Sequence, residues 1–263
     1  MHWMLHARSM SDCKQSHMTG QPGGPADSVP PPTLDVRRRG KRGMRQDYTH
    51  ITVILDRTGS MESIRDDTIG GFNTYLKEQK AEPGTATLTL VQFDTQDPYE
   101  VIHRFAPIKS VPALSRKTYV PRASTPLLDA LGRGINDLEK SLGKLKKEDR
   151  PSKVVVVVVT DGQENSSREF RKGQIEKMIK EKTERDSWQF VFLSADLAAI
   201  DDAIAAGIHA DSVLLFEKSG KGSTRAWAAL SARTSDYRSS RKKKFGFEQD
   251  DRKHPDDPGK KKA

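Results

Sequence analysis

The residues best placed to do chemistry lie in one short stretch, residues 51–60, which reads ITVILDRTGS. Five apolar or β-branched residues run straight into Asp56, and Thr58 and Ser60 follow at every second position in a Gly-containing turn. A short continuous apolar run bounded by a turn fits a strand buried on both faces, which puts the carboxylate at the strand's carboxyl end. Open α/β sheets place their ligands at that end, in the crevice where the strand order reverses. One carboxylate and two hydroxyls converging there point to a small, hard cation.

Two further loops carry matching groups. Ser124-Thr125-Pro126 precedes a leucine-rich helical pattern, and Asp161-Gly162 follows the valine run KVVVVVVTD of residues 153–161. If the topology gathers the three loops, Asp56 and Asp161 face one point together with the hydroxyls of Thr58, Ser60 and Thr125. An all-oxygen set favours Mg²⁺, with Mn²⁺ or Ca²⁺ as alternatives, over zinc or copper. Two carboxylates balance a divalent charge without closing its shell, leaving a position for water or for a ligand carboxylate. Each piece also has a plainer reading. An Asp after a strand is often a turn former, and Ser60 could cap the following helix, alone or alongside a ligating role. Ser124 and Thr125 could simply start a helix at Pro126. Glu164 and Asn165 sit beside the site and could tune it, though they read first as solvated loop residues, and Asp66 and Asp67 read as an exposed helix face.

The set D-R-T-G-S at 56–60, Thr125 and T-D-G at 160–162 resembles the metal-ion-dependent adhesion site of the von Willebrand factor A-type domain. The family's Asp-x-Ser-x-Ser motif is matched by Asp56, Thr58 and Ser60. Thr58 stands for the usual first serine, keeping the hydroxyl and adding a methyl. Thr125 matches the family's second-loop threonine and Asp161 its third-loop aspartate. The resemblance covers roughly residues 48–237 and is closest to single-domain bacterial and phage members. It implies a divalent-metal-dependent protein-binding module rather than an enzyme, with a partner's Asp or Glu completing the metal's coordination.

The elements that must position these groups follow from periodicity. After the first strand, residues 61–80 read as a helix with Ile64, Thr68, Phe72 and Leu76 recurring every fourth position. Gly70-Gly71 weakens it by about 1 kcal/mol per residue relative to Ala, which predicts a close approach to neighbouring backbone. Strands are expected at 86–93 and 99–105, joined too tightly for a crossover and so antiparallel, the second at the sheet edge. Helices follow at 126–142, 170–182, 196–206 and 222–237, with strands at 153–161, 188–195 and 213–216. The alternation predicts a doubly wound α/β fold of Rossmann-like type. Its sheet is six-stranded and mostly parallel, with one antiparallel edge strand and helices on both faces. The expected domain is 47–238.

Composition bounds the rest. The 263 residues carry a formal charge of +9, yet 8 Lys/Arg against 3 Asp/Glu fall in residues 1–46, and 9 against 5 in residues 239–263. The middle is neutral, and both ends read as disordered basic tails. Met44 would make a compact start, so the preceding residues are expected to be an over-extended start or a dispensable tail. No apolar run is long enough to span a bilayer. With one cysteine, Cys13, and no convincing leader, the chain is expected to be cytoplasmic. Two other functions compete. A phosphatase of the haloacid-dehalogenase type also has an Asp after its first strand but needs a second Asp where Thr58 stands. Nucleic-acid binding through RRRGKRG and RKKKFGF lacks an interleaved aromatic platform. Neither a phosphate loop nor a dinucleotide fingerprint occurs, and SGKGS at 219–223 has the wrong spacing.

Overall fold

A computed structural model describes residues 45–253. Six strands form one sheet: β1 (Arg45–Asp56), β2 (Thr85–Phe93), β3 (Glu100–Pro107), β4 (Pro151–Thr160), β5 (Gln189–Ser194) and β6 (Val213–Leu215). Their order is β3-β2-β1-β4-β5-β6. Every pairing is parallel except that of β3 with β2, which places the antiparallel strand at the edge as expected. The reversal of strand order falls between β1 and β4. Leu55 pairs with Val159 there, so Asp56 and Asp161 leave neighbouring strands at nearly the same level of the switch-point crevice.

The five α-helices are α1 (Arg65–Ala81), α2 (Leu127–Gly143), α3 (Lys172–Asp186), α4 (Leu197–Ala205) and α5 (Gly220–Arg238). The central strands are apolar on both faces because both are covered. Ile51, Val53 and Leu55 of β1, with Val155, Val157 and Val159 of β4, pack against Phe72, Tyr75 and Trp227 of α1 and α5. Ile54, Val156 and Val158 face the other way, onto Leu131 and Ile135 of α2, Ile175 and Ile179 of α3, and Ile200 of α4. This period-two alternation lets a run of six valines serve two cores.

The predicted close approach at Gly70-Gly71 resolves to one of the pair. A Cβ on Gly71 would fall 2.1 Å from the Trp227 ring, whereas Gly70 faces open space. Gly71 therefore sets how tightly α1 lies on α5, and the neighbour it admits is an indole rather than backbone. The helix expected from residue 61 begins instead as a 3-10 turn, Gly59–Ile64, before α1 proper.

The C-terminal expectation needs correcting. Residues 239–253 were expected to be disordered, but Phe245 and Phe247 are buried at 4% and 6% exposure. Phe247 N donates to Asp211 O, Phe245 N to Gln189 Oε1, and Ser212 Oγ to Phe245 O. Two aromatic rings offer enough apolar surface to dock the segment, while Arg241 to Lys244 stay exposed. Residues 1–44 and 254–263, the rest of the two expected tails, lie outside the described residues. No described helix is long and apolar enough to cross a membrane.

Candidate metal centre

The first loop leaves β1 at Asp56, which has no exposed surface. Its Oδ1 accepts from Thr58 N at 2.7 Å, and its Oδ2 from Thr160 Oγ1 at 2.5 Å. Thr58 Oγ1 lies 3.2 Å from Ser60 Oγ and accepts from Thr125 Oγ1 at 3.3 Å. Ser60 Oγ donates to Asp161 Oδ1 at 2.6 Å. The five residues singled out in the sequence are thus joined by an unbroken chain of contacts from Asp56 to Asp161, although they lie in three loops up to 105 positions apart. Ser60 caps no helix: its hydroxyl is spent on Thr58 and Asp161, inside the 3-10 turn.

The loops are set by residues that sequence reasoning missed. Loop one is zipped to the second loop by Gly59 N donating to Ala123 O and Arg122 N donating to Arg57 O. Beneath it, Tyr119 Oη donates to Asp56 O at 2.6 Å. Arg57, the unassigned position of the motif, is 5% exposed and points away from the site, with Nε 2.7 Å from Asp94 Oδ2. Arg122 reaches the same oxygen at 2.9 Å, so one buried carboxylate ties the first loop to the second.

Glu164 and Asn165, read as solvated loop residues, are structural clamps. Asn165 Oδ1 accepts from Thr125 N, while Asn165 N donates to Thr125 O. Glu164 accepts from Leu128 N, an orphan donor at the start of α2, and from Ser166 N, Ser167 N and Ser167 Oγ of its own loop. Asp129 then accepts from the backbone of Arg168, Glu169 and Phe170. Loops two and three are therefore locked together around Thr125. Asp66 is exposed as expected and pairs with Arg116.

The site's electrostatics are unbalanced. Asp56 and Asp161 are 0% and 6% exposed. Burial pushes the Asp56 carboxyl up to about 6; hydrogen bonds from Thr160 and Thr58 pull it down, and the nearby negative charge of Asp161 raises it further. Tyr119 is pushed well above the ordinary phenol range, first by burial and then by the same two carboxylates. Asp161 Oδ2 is buried and receives no well-formed hydrogen bond; its close neighbour is Lys218 Nζ at 2.6 Å. Two buried carboxylates and three hydroxyls, with one lysine against the pair, are a donor set that fits a hard divalent cation. Among the described residues no group of three or more His, Cys, Asp or Glu side chains clusters in metal-binding fashion, so the hydroxyls distinguish this set.

No family model matches the chain, and no curated protein matches it. Solved structures do. The pilus adhesin SpaC from Lactobacillus rhamnosus GG, in its open conformation, aligns with a TM-score of 0.54 at 10% identity, over 75% of this chain and 31% of that one. A von Willebrand factor type A protein from Catenulispora acidiphila aligns with a TM-score of 0.48 at 11% identity, over 72% and 43%. Proximal thread matrix protein 1 from the mussel byssus, with a zinc-occupied MIDAS motif, gives 0.49 at 12% identity, over 72% and 46%. The chain spans less than half the length of each of these three. At such identities the likeness is one of fold. With the pilus adhesin it agrees with the strand order and the single antiparallel edge strand: the described residues have the doubly wound α/β fold that the resemblance to a von Willebrand factor A-type domain implied.

Proposed function

We propose that this chain is a divalent-metal-dependent protein-binding module, with Asp56, Thr58, Ser60, Thr125 and Asp161 as its metal-holding residues. The observation that carries the reading is the contact-linked set of two buried carboxylates and three hydroxyls at the switch point of the sheet, with one lysine against two acids. Asp56 and Asp161 supply the two negative charges. The hydroxyls of Thr58, Ser60 and Thr125 supply neutral oxygens whose protons can turn outward to Asp161 or to one another. Mg²⁺ suits so small and hard a set, with Mn²⁺ or Ca²⁺ as alternatives. When bound, the cation would offer its remaining coordination position to an Asp or Glu carboxylate of a protein partner. Ser60, exposed at the mouth, marks the side from which such a partner approaches.

The phosphatase alternative gains nothing from the geometry. Position 58 is a threonine, and its hydroxyl is engaged by Ser60 and Thr125 rather than poised to move protons. Nucleic-acid binding through the basic ends has no described groove to argue from.

The test is metal binding followed by capture. Calorimetry with Mg²⁺ should show one site in the intact chain and none in Asp56→Ala or Asp161→Ala, each still folded by circular dichroism. Proteins retained from the source cell in Mg²⁺ should be released by EDTA. The reading is lost if the double alanine variant captures the same proteins whether or not EDTA is present.

A further inference from the structure

Among the described residues, Lys218 is the side chain that forms an ion pair with the buried acids, through Asp161. It lies between β6 and α5, outside every loop of the motif. Its Nζ stands 2.6 Å from Asp161 Oδ2, an oxygen on a side chain with no exposed surface, while Lys218 itself is 39% exposed. No well-formed hydrogen bond reaches that oxygen from any other donor. An ammonium group is a compact point charge on a flexible stem, so it can leave such a position without repacking the core.

The backbone that carries Lys218 is built to hold it there. On one side Phe216 N donates to Ser194 O, which fastens the chain beyond β6 to the end of β5. On the other, Ser219 caps α5 by accepting from Gly222 N, and Ser219 N donates to Glu217 O at 2.7 Å. A Cβ on Gly222 would fall 2.1 Å from Glu217 O, so glycine is what allows the turn to fold back so tightly. Lys218 is therefore fixed at its Cα and free only along its stem, which reaches over the third loop. A surface pair of this kind adds little stability. Here its acidic member is buried beside a second carboxylate, and the other contact on that acid is a neutral one, the Ser60 hydroxyl donating to Oδ1.

We propose that Lys218 is a tethered counter-ion that holds Asp161 in the metal-free state and must swing away for Asp161 Oδ2 to face a divalent cation. The inference rests on the metal-binding reading above and adds a competitor to it. Lys218 sets the metal affinity downward in two ways: it stabilises the metal-free carboxylates, and it keeps a positive charge near the position of a second one. Once released, its ammonium lies at the mouth of the site, on the side where an acidic partner would dock.

Three versions of the full chain test this: wild type, Lys218→Met and Lys218→Arg. Calorimetry with Mg²⁺ alone should show Lys218→Met binding at least tenfold tighter than wild type, and Lys218→Arg within about threefold of wild type, because the charge is kept. Acetylation of the Lys218 amine, followed by peptide mass spectrometry, should be several-fold faster in Mg²⁺ than in EDTA. An unchanged or weaker affinity in Lys218→Met, or labelling indifferent to Mg²⁺, overturns the proposal while leaving the metal site standing. Absence of Mg²⁺, Mn²⁺ and Ca²⁺ binding in all three proteins removes the site itself, and the tether with it.

Discussion

Two buried acids, each the first residue past the end of a parallel strand, behave in opposite ways, and the contrast separates structure from site. Asp94 follows β2, and its side chain has no exposed surface. It faces Arg57 and Arg122, and its Oδ1 accepts from Gln96 N at 2.6 Å and Asp97 N at 3.0 Å. Burial alone would raise its pKa, but these partners together hold it below the ordinary carboxylate value. Asp161 follows β4, is as deeply buried, and faces another carboxylate with only a half-exposed lysine as counter-charge. The sheet treats both alike; only the partners differ. A buried acid matched by two arginines is part of the frame, and one that shares its burial with a second carboxylate invites a cation.

The largest effect should come from breaking the satisfied acid. Asp94→Ala leaves Arg57 buried with only the half-exposed Glu100 as an ionic partner, and unties loop one from loop two. Removing one member of a buried ion pair typically costs about 3–5 kcal/mol. Urea denaturation should show a loss of that size. A loss under about 1 kcal/mol would mean that Arg57 finds solvent, and that the comparison rests on a weaker frame than the geometry implies.

His50 is a third kind of buried titratable group, satisfied by being neutral. Its ring lies stacked on Phe105 with centroids 3.8 Å apart, and its nitrogens meet Thr87 Oγ1 and Thr52 Oγ1 at 2.8 and 3.1 Å. Burial lowers its pKa from 6.5 to about 3. Between those values the unfolded chain takes up a proton that the folded chain refuses, so stability falls as pH falls through that window. At pH 5 the deficit is about 2 kcal/mol, at roughly 1.4 kcal/mol per unit. Asp56 titrates with the opposite sign, so the comparison must be made at a single residue. The stability difference between wild type and His50→Gln should shift by that amount between pH 7.5 and pH 5. A constant difference would show that His50 is protonated in the fold.

Removing the unsatisfied acid should help rather than harm. Asp161→Asn relieves repulsion with Asp56 and frees only a half-exposed lysine, so the metal-free protein should gain on the order of 1 kcal/mol. Thermal unfolding in EDTA measures this directly, and a loss comparable to that of Asp94→Ala would erase the distinction drawn between the two acids.

What could be read beforehand follows the same division. The strands were legible because burial on both faces writes itself as an apolar run, and Val154 to Val159 admits few other readings. Asp56, Thr58 and Ser60 were legible as a local motif. Thr125 and Asp161 joined them through resemblance, since nothing local ties residue 125 to residue 58. The clamps were not legible. Arg57 with Asp94 and Arg122, Asn165 with Thr125, and Lys218 with Asp161 are each single polar residues meeting across the fold, and such pairs have no period. Glu164 failed for another reason: a carboxylate in a loop looks solvated until the helix start it caps is placed beside it. The C-terminal segment failed because the charge of RKKK outweighed two phenylalanines that followed it.

Glu164 gives the smallest expected effect and the sharpest boundary between the two classes. It lies at the same end of the sheet as the residues proposed to hold the metal and carries the same charge as Asp161. Its two oxygens, however, are consumed by three backbone N–H groups and one hydroxyl. By that criterion it belongs with Asp94. Glu164→Gln keeps an acceptor oxygen and loses the charge facing the α2 N-terminus, a change of about 0.5 kcal/mol. Mg²⁺ affinity should stay within about threefold of wild type, because the Asn165 clamp on Thr125 remains. If calorimetry instead finds Mg²⁺ binding abolished in Glu164→Gln, the donors around Glu164 do not set it apart from the site, and Glu164 must be counted among the residues proposed to hold the metal.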